Sequence, residues 1–231
     1  MRANSRPVTS NQSGIHDQLQ ALIERHANAR YLRPIADHSR QGFDNAITAW
    51  KAAGSAPLII DAGCGVGLST LKLAQRHPDH FIIGIDQSAD RLMRELRWDA
   101  EVPGNHVLVR ADLVDFWRLM LEQAIYPSHH YLLYPNPWPK KSQLMRRWHG
   151  HPVFPTLLAL GGQIECRSNW KIYIEEFASA VVQLTGVAVK CEPFSPEADA
   201  LTPFEQKYLA SGHALWRCQL QQPYRMTSAS T

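Results

Sequence analysis

Asn136 stands between two prolines, in Pro135-Asn136-Pro137-Trp138-Pro139-Lys140-Lys141, directly after the apolar run Tyr131-Leu132-Leu133-Tyr134. Proline fixes its own φ and pushes the residue before it toward extended conformations, so the carboxamide is presented stiffly at the end of a strand. A rigid amide beside a flat aromatic, here Trp138, suits the orientation of a planar nitrogen heterocycle. Lys140 and Lys141 just downstream suit phosphate. The plainer alternative is a proline-rich surface turn.

A second group with chemistry lies upstream. Asp61-Ala62-Gly63-Cys64-Gly65-Val66-Gly67 separates an apolar triplet from a helical pattern. The spacing is G-x-G-x-G rather than the dinucleotide pattern G-x-G-x-x-G, and position 68 is Leu. No G-x-x-x-x-G-K-S/T is present, which argues against a P-loop. An acid at Asp61 would repel a pyrophosphate and attract the ammonium of an amino-acid moiety. Asp86 closes the next apolar run, where doubly wound folds set an acid against ribose hydroxyls. Asp112, after the third run, can accept from an adenine amino group. Ammonium, ribose and adenine in that order read as S-adenosylmethionine, cradled by Gly63 and Gly65. Each acid taken alone also reads as a helix cap or turn former.

The elements that must hold these groups follow from periodicity. Leu58–Ile60, Phe81–Ile85, Val107–Val109 and Tyr131–Tyr134 are short apolar runs, read as strands. Helical patterns carry Leu68, Leu71 and Leu73; Leu92, Met93 and Leu96 after a Ser88 cap; and residues 114–123. Strand–helix alternation predicts a parallel sheet with right-handed crossovers. Gly161–Arg167 and Val187–Cys191 read as further strands, 170–184 as a helix, and Ala214–Leu220 as a late antiparallel strand. Two amphipathic helices precede the sheet, one carrying Ile15, Leu19, Leu22 and Ile23, the other Phe43, Ile47 and Trp50. One domain over 14–225 is expected, with 1–13 a disordered tail; a transit peptide is the alternative for that segment.

Composition bounds the partners. The 231 residues carry a net charge of +3, too small for a globally basic nucleic-acid binder. Basic character is local: no acid occurs between Glu122 and Glu165, while Lys140, Lys141, Arg146 and Arg147 fall there with Trp148, His149 and His151 interleaved. A polyanion such as RNA fits that patch; a solvated helix face is the alternative. Four dispersed cysteines without a C-x-x-C pair point to a reducing compartment, hence the cytoplasm, and away from zinc. No run approaches the roughly 20 apolar residues of a membrane span.

These residues resemble the tRNA (guanine-N7)-methyltransferase family from about residue 57 to 220. The likeness rests on Asp61-Ala-Gly-Cys-Gly, Gly84-Ile-Asp86, Pro135-Asn-Pro-Trp-Pro-Lys-Lys141, Ser168-Asn169-Trp170 with Tyr173, and Thr202-Pro-Phe204-Glu205. It implies a class I, Rossmann-like α/β fold with a mostly parallel seven-stranded sheet and helices on both faces. It also implies an S-adenosylmethionine site at Asp61, Gly63, Gly65, Asp86 and Asp112, with Asn136 at the catalytic position on its border. Substrate contacts are then expected at Trp138, Lys140, Lys141, Arg146, Arg147, Asn169, Thr202, Phe204 and Glu205. The implied partner is tRNA, the implied assembly a monomer or homodimer, and no metal is implied. The family usually has an acid where Asn136 and Asn169 stand, and an Arg where Asp199 stands. Those departures leave open a relative that methylates a nitrogen of another RNA or a small heterocycle. A non-catalytic RNA-binding subunit is a third reading, disfavoured by the three retained acids.

Overall fold

The computed structural model describes residues 4–29, 31–94, 103–196 and 199–221. Seven strands form one sheet in the order β3-β2-β1-β4-β5-β7-β6. They are β1 (Leu58–Ala62), β2 (Phe81–Asp86), β3 (His106–Arg110), β4 (His129–Leu133), β5 (Gln163–Ser168), β6 (Glu192–Phe194) and β7 (Leu215–Leu220). The first five are mutually parallel, and β7 runs antiparallel to both β5 and β6. This is the fold class the sequence implies.

β1 lies at the centre, covered on both faces, and therefore reads as an unbroken apolar run. Its period-two alternation divides the core. Leu58 and Ile60 face the larger apolar cluster, with Phe43, Phe116, Trp117, Phe154 and Phe177. Ile59 faces a smaller one with Leu73, Ala74 and Leu201. The larger cluster is covered by α1 (Leu19–Ala27), α2 (Asp37–Ala52), α5 (Leu113–Glu122), α6 (Phe154–Ala159) and α7 (Lys171–Thr185). The smaller is closed by α3 (Leu68–Arg76). Burying side chains of Leu, Ile or Phe size contributes about 1.5–3 kcal/mol each, so the five-helix face dominates the fold's stability.

One expected strand is corrected, and two further expectations fall on segments described only in part. The strand expected at Val187–Cys191 is not one; after Gly186 caps α7 in the left-handed region, β6 forms at Glu192–Phe194, where β7 offers partners at Leu215–Arg217. The helix expected through Leu96 is described only as α4 (Ala89–Leu92), capped by Ser88, and Leu96 lies outside the described residues. Residues 4–13 carry no helix or strand, but they do not hang free. Gln12 is 5% exposed, and Ser5 donates its backbone N–H to the Ser211 hydroxyl. Buried partners, not regular structure, order this segment.

Candidate active site

The glycine loop leaves β1 at Gly63, and Asp86 ends β2. Asp112 follows β3, Asn136 follows β4, and Asn169 follows β5. These five groups therefore emerge at the carboxyl edge of the parallel strands. β1 and β4 are neighbours with their crossovers running outward in opposite directions, which opens the crevice where ligands bind in such sheets.

The loop is shaped by left-handed glycines. Gly65 has φ +63, and a Cβ there would meet nothing within 4 Å, so its exposed side is free for a ligand. Gly67 has φ +82 and begins α3; a Cβ there would strike Leu108 at 2.5 Å. The Gly65 N–H donates to Asp86 Oδ2 at 3.0 Å, pinning the loop to the end of β2. Asp86 also accepts the Ser88 N–H and pairs with Arg91, whose side chain is largely exposed and is the displaceable partner.

Asp61 behaves differently from the expectation of a direct ammonium contact. It is 1% exposed, and its Oδ2 accepts from the hydroxyls of Ser69 and Thr70 at 2.6 and 2.7 Å. Burial pushes its carboxyl up to about 6, against the lowering effect of the two hydroxyls. Its carboxylate anchors the first turn of α3 beneath the loop. Asp112 is also tied up within the protein. One oxygen caps α5 through the Val114 N–H, and the other pairs with Arg33 at 2.7 Å. The helix-cap alternative holds for Asp112, with its other oxygen covered by a side chain that is nearly half exposed. A cofactor in this crevice would meet an open Gly63–Gly65 backbone and two acids, Asp86 and Asp112, each partnered by an exposed arginine. The residues present fit S-adenosylmethionine on those terms.

The rim after β4 is held under strain. Tyr134 (φ +54) and Trp138 (φ +46) bracket Pro135-Asn136-Pro137 in the left-handed region, which bulky residues rarely adopt. Such conformations persist only where the surroundings over-determine them. The Tyr134 N–H donates to the Arg167 carbonyl at 2.9 Å. Asn136 is exposed, with no hydrogen bond to its carboxamide among the described residues. Beside it, the guanidinium of the exposed Arg146 lies 4.7 Å above the centre of the Trp138 ring, and Lys140 and Lys141 are exposed.

Two residues expected to contact substrate are structural. Arg147 is fully buried, bonded to Glu176 at 2.5 Å and to the Trp138 carbonyl at 3.1 Å. Glu205 is fully buried, paired with Arg167 and accepting the Leu201 N–H. Thr202 caps α8 (Pro203–Ala210) by accepting the Glu205 N–H. Phe204 projects outward, 57% exposed, stacked on Tyr208, which stacks in turn on His213. The Asn169 carboxamide meets His213 Nδ1 at 3.1 Å. The late Thr-x-Phe-Glu turn therefore splits into a buried acid that fixes the loop and an exposed ring that faces solvent.

Sequence reasoning missed Glu176. Burial pushes its carboxyl up, but bonds from His149 and Arg147 outweigh that and hold it at about 2. Its signal was an acid set among Tyr173, Ile174, Phe177 and Ala180, on the apolar stripe of α7.

Residues 55–218 match a family model described as a putative methyltransferase. A tRNA (guanine-N7)-methyltransferase of Thiobacillus denitrificans is 31% identical over 170 residues, covering 70% of this chain and 73% of the relative. The chain belongs to this methyltransferase family. A tRNA (guanine-N7)-methyltransferase of Treponema pallidum is 28% identical over 184 residues, covering 76% of this chain and 70% of its own. Among solved structures, an antibiotic-related methyltransferase superposes with TM-score 0.53 at 18% identity, over 81% of this chain and 96% of that one. A point variant of the 16S rRNA (adenine(1408)-N(1))-methyltransferase from Catenulisporales acidiphilia, with its cosubstrate, superposes with TM-score 0.53 at 17% identity, over 82% and 94%. At those identities they share the fold. The methyltransferase uses S-adenosylmethionine. Among the described residues no cluster of three or more His, Cys, Asp or Glu is arranged to hold a metal ion, and no helix is long and apolar enough to cross a membrane.

Proposed function

We propose that this methyltransferase transfers its methyl group to N7 of a guanine in tRNA, binding the base at Asn136 and the backbone along Lys140, Lys141 and Arg146. One observation carries the reading. An open glycine loop after β1 and a strained, amide-bearing rim after β4 emerge side by side on one sheet edge. The names of the relatives supply the acceptor.

Bound S-adenosylmethionine supplies an electrophilic sulfonium methyl. Guanine N7 has a lone pair and no hydrogen, so it attacks directly and no general base is required. Accepting that methyl would leave positive charge on the purine. The protein's work is alignment and accommodation of that charge. The free Asn136 carboxamide can hydrogen-bond the base edge and turn its carbonyl dipole toward the developing charge. Trp138, stiffened by flanking prolines and by Arg146 across its face, offers a stacking surface. Phe204 offers another exposed ring on the β5 side. Arg147 supports the rim from beneath and reaches no substrate. We also propose that the protein works in the reducing cytoplasm, in keeping with Cys166 and Cys218, which lie directly opposite each other on β5 and β7 as free thiols.

Incubation with labelled cofactor and bulk tRNA, followed by mass spectrometry of the nucleosides, is the test. Formation of 7-methylguanosine is expected. Because the rim presents an uncharged amide at Asn136, the second reading is another acceptor nitrogen. Methyl found only on a different base nitrogen, or only on a small heterocycle, would select it over the first.

A further inference from the structure

The N-terminal segment is tied into the acceptor rim by a set of buried polar contacts that the methyl-transfer reading does not use. Gln12 is 5% exposed. Its Nε2 donates to Glu176 Oε1 at 2.5 Å, and its Oε1 accepts from Arg147 Nη2 at 3.0 Å. The carboxamide therefore bridges the two partners of the buried ion pair, donating to the acid and accepting from the base. The His16 backbone N–H adds a second donor to Glu176 Oε1 at 2.9 Å, and His149 Nε2 lies 2.9 Å from the other carboxylate oxygen. A second tie lies two residues earlier, where the Ser10 hydroxyl donates to the Pro139 carbonyl at 2.5 Å.

These contacts converge on the rim's carbonyls. Arg147 donates through Nε and Nη2 to the Trp138 carbonyl, at 3.2 and 3.1 Å. Ser10 holds the next carbonyl along, and Arg147 reaches the one after, on Lys140, at 3.4 Å. Trp138 is the residue held at φ +46, so three successive carbonyls are captured where the backbone is least comfortable. The peptide planes that carry Asn136 and Trp138 can sit in this conformation because that capture over-determines it. Glutamine is chemically specific at position 12. A carboxylate there would face Glu176 as a like charge. An aliphatic side chain would remove one of the two donors to Glu176 Oε1 and one of the acceptors of Arg147 Nη2 inside the core.

We propose that residues 10–16 are a brace for the acceptor rim, and that Gln12, with Ser10 in support, is a positioning residue for methyl transfer. The brace sets the aim of Asn136 and Trp138 and leaves the glycine loop untouched, since none of these contacts reaches Gly63–Gly67. The same segment lines a groove with the rim lysines: Thr9, Ser10 and Asn11 stand opposite Pro139, Lys140, Lys141 and Ser142. Loosening the brace thus also shifts the lysines against the RNA backbone. The catalytic part of this inference rests on the rim being the acceptor site.

The test uses full-length Gln12→Leu and Ser10→Ala with three measurements: hydrogen exchange resolved by peptide, calorimetry with S-adenosylmethionine, and steady-state transfer to tRNA. In Gln12→Leu we expect faster exchange confined to 134–147, cofactor affinity within about twofold, and kcat lowered about tenfold or more, the scale of a sub-ångström misalignment. Ser10→Ala leaves the buried cluster intact and should show the same pattern, weaker. The brace is overturned if exchange at 134–147 matches wild type in both variants. It is equally overturned if Gln12→Leu loosens the whole sheet while Ser10→Ala changes nothing, since Gln12 would then be ordinary core. If the wild type transfers no methyl to any RNA, exchange still decides the brace, and that failure falls on the acceptor reading alone.

Discussion

The two halves of the carboxyl edge are built differently. The contacts that hold the glycine loop are short in sequence: Ser69 to Asp61 spans 8 residues, and Gly65 to Asp86 spans 21. On the acceptor side they are long: Arg147 reaches Glu176 over 29 residues and Gln12 over 135, and Gln12 reaches Glu176 over 164. Short loops close at little entropic cost, so the cofactor loop can be assembled within one strand–turn–helix unit and its neighbour. The rim is a tertiary construction in which a strained turn is held by polar and charged groups brought from the chain's beginning and from α7. The glycine loop should therefore tolerate loss of distant residues, and the acceptor rim should not.

The largest effect is expected at the buried pair. Arg147→Ala leaves the Glu176 carboxylate in the core with only Gln12, His149 and the His16 N–H beside it, and should cost about 3–5 kcal/mol in denaturant unfolding. Replacing both, Arg147→Met with Glu176→Leu, should recover much of that stability while still depressing transfer. If the double variant transfers at the wild-type rate, the rim does not depend on the pair and the contrast fails.

Asn136→Asp probes the rim's chemistry rather than its scaffold. A carboxylate in place of the amide should strengthen a charged interaction by about 1.5–3 kcal/mol, or roughly ten- to a hundredfold in kcat on guanine N7. A fall in rate would mean that the site is fitted to a different nitrogen.

Two glycine substitutions sharpen the other half. Gly65→Ala places a methyl in open space at φ +63, so the fold should survive a strain of about 1–2 kcal/mol while cofactor affinity falls in calorimetry. Gly67→Ala meets the same kind of strain and also Leu108, so it should lower the melting temperature further. Equal melting temperatures for the two would remove Leu108 from the account.

The effects of pH run in opposite directions. His130 is neutral in the fold, accepting the Trp117 Nε1–H at 2.9 Å, and burial lowers its imidazole to about 3 from an ordinary 6.5. The unfolded chain binds the proton first, so this contribution is lost as pH falls from 6.5 toward 3. Burial raises Asp61 from 3.8 to about 6, so its contribution is full below 3.8 and lost as pH rises through 6. Melting temperature against pH should decline less steeply on the acid side for His130→Gln, and Asp61→Asn should gain on wild type above pH 6. A parallel curve for either variant would show that its titration does not couple to folding.

The placement of the glycine loop and the three acids at one sheet edge was legible because its signals are local, each acid lying at or just after a short apolar run. Even so, periodicity could not say which way those carboxylates turn. Asp61 faces the α3 hydroxyls, and Asp112 caps a helix and meets Arg33, a residue 79 positions away. Charge patterning grouped Arg146 and Arg147 as one basic patch, but consecutive residues leave the chain in different directions. One stacks on Trp138 at the surface, and the other is sealed in the core.

By itself the sequence determined the alternation of strand and helix, the glycine loop, and the stiff Pro-Asn-Pro presentation, because φ restriction and apolar periodicity act within a few residues. Tertiary structure alone decided that Arg147 and Glu205 serve the scaffold, that Glu176 is the counterpart of Arg147 beneath the rim, and that Gln12 lies between the two. Those outcomes depend on which charges are brought into low dielectric together, and that is set by how distant segments pack.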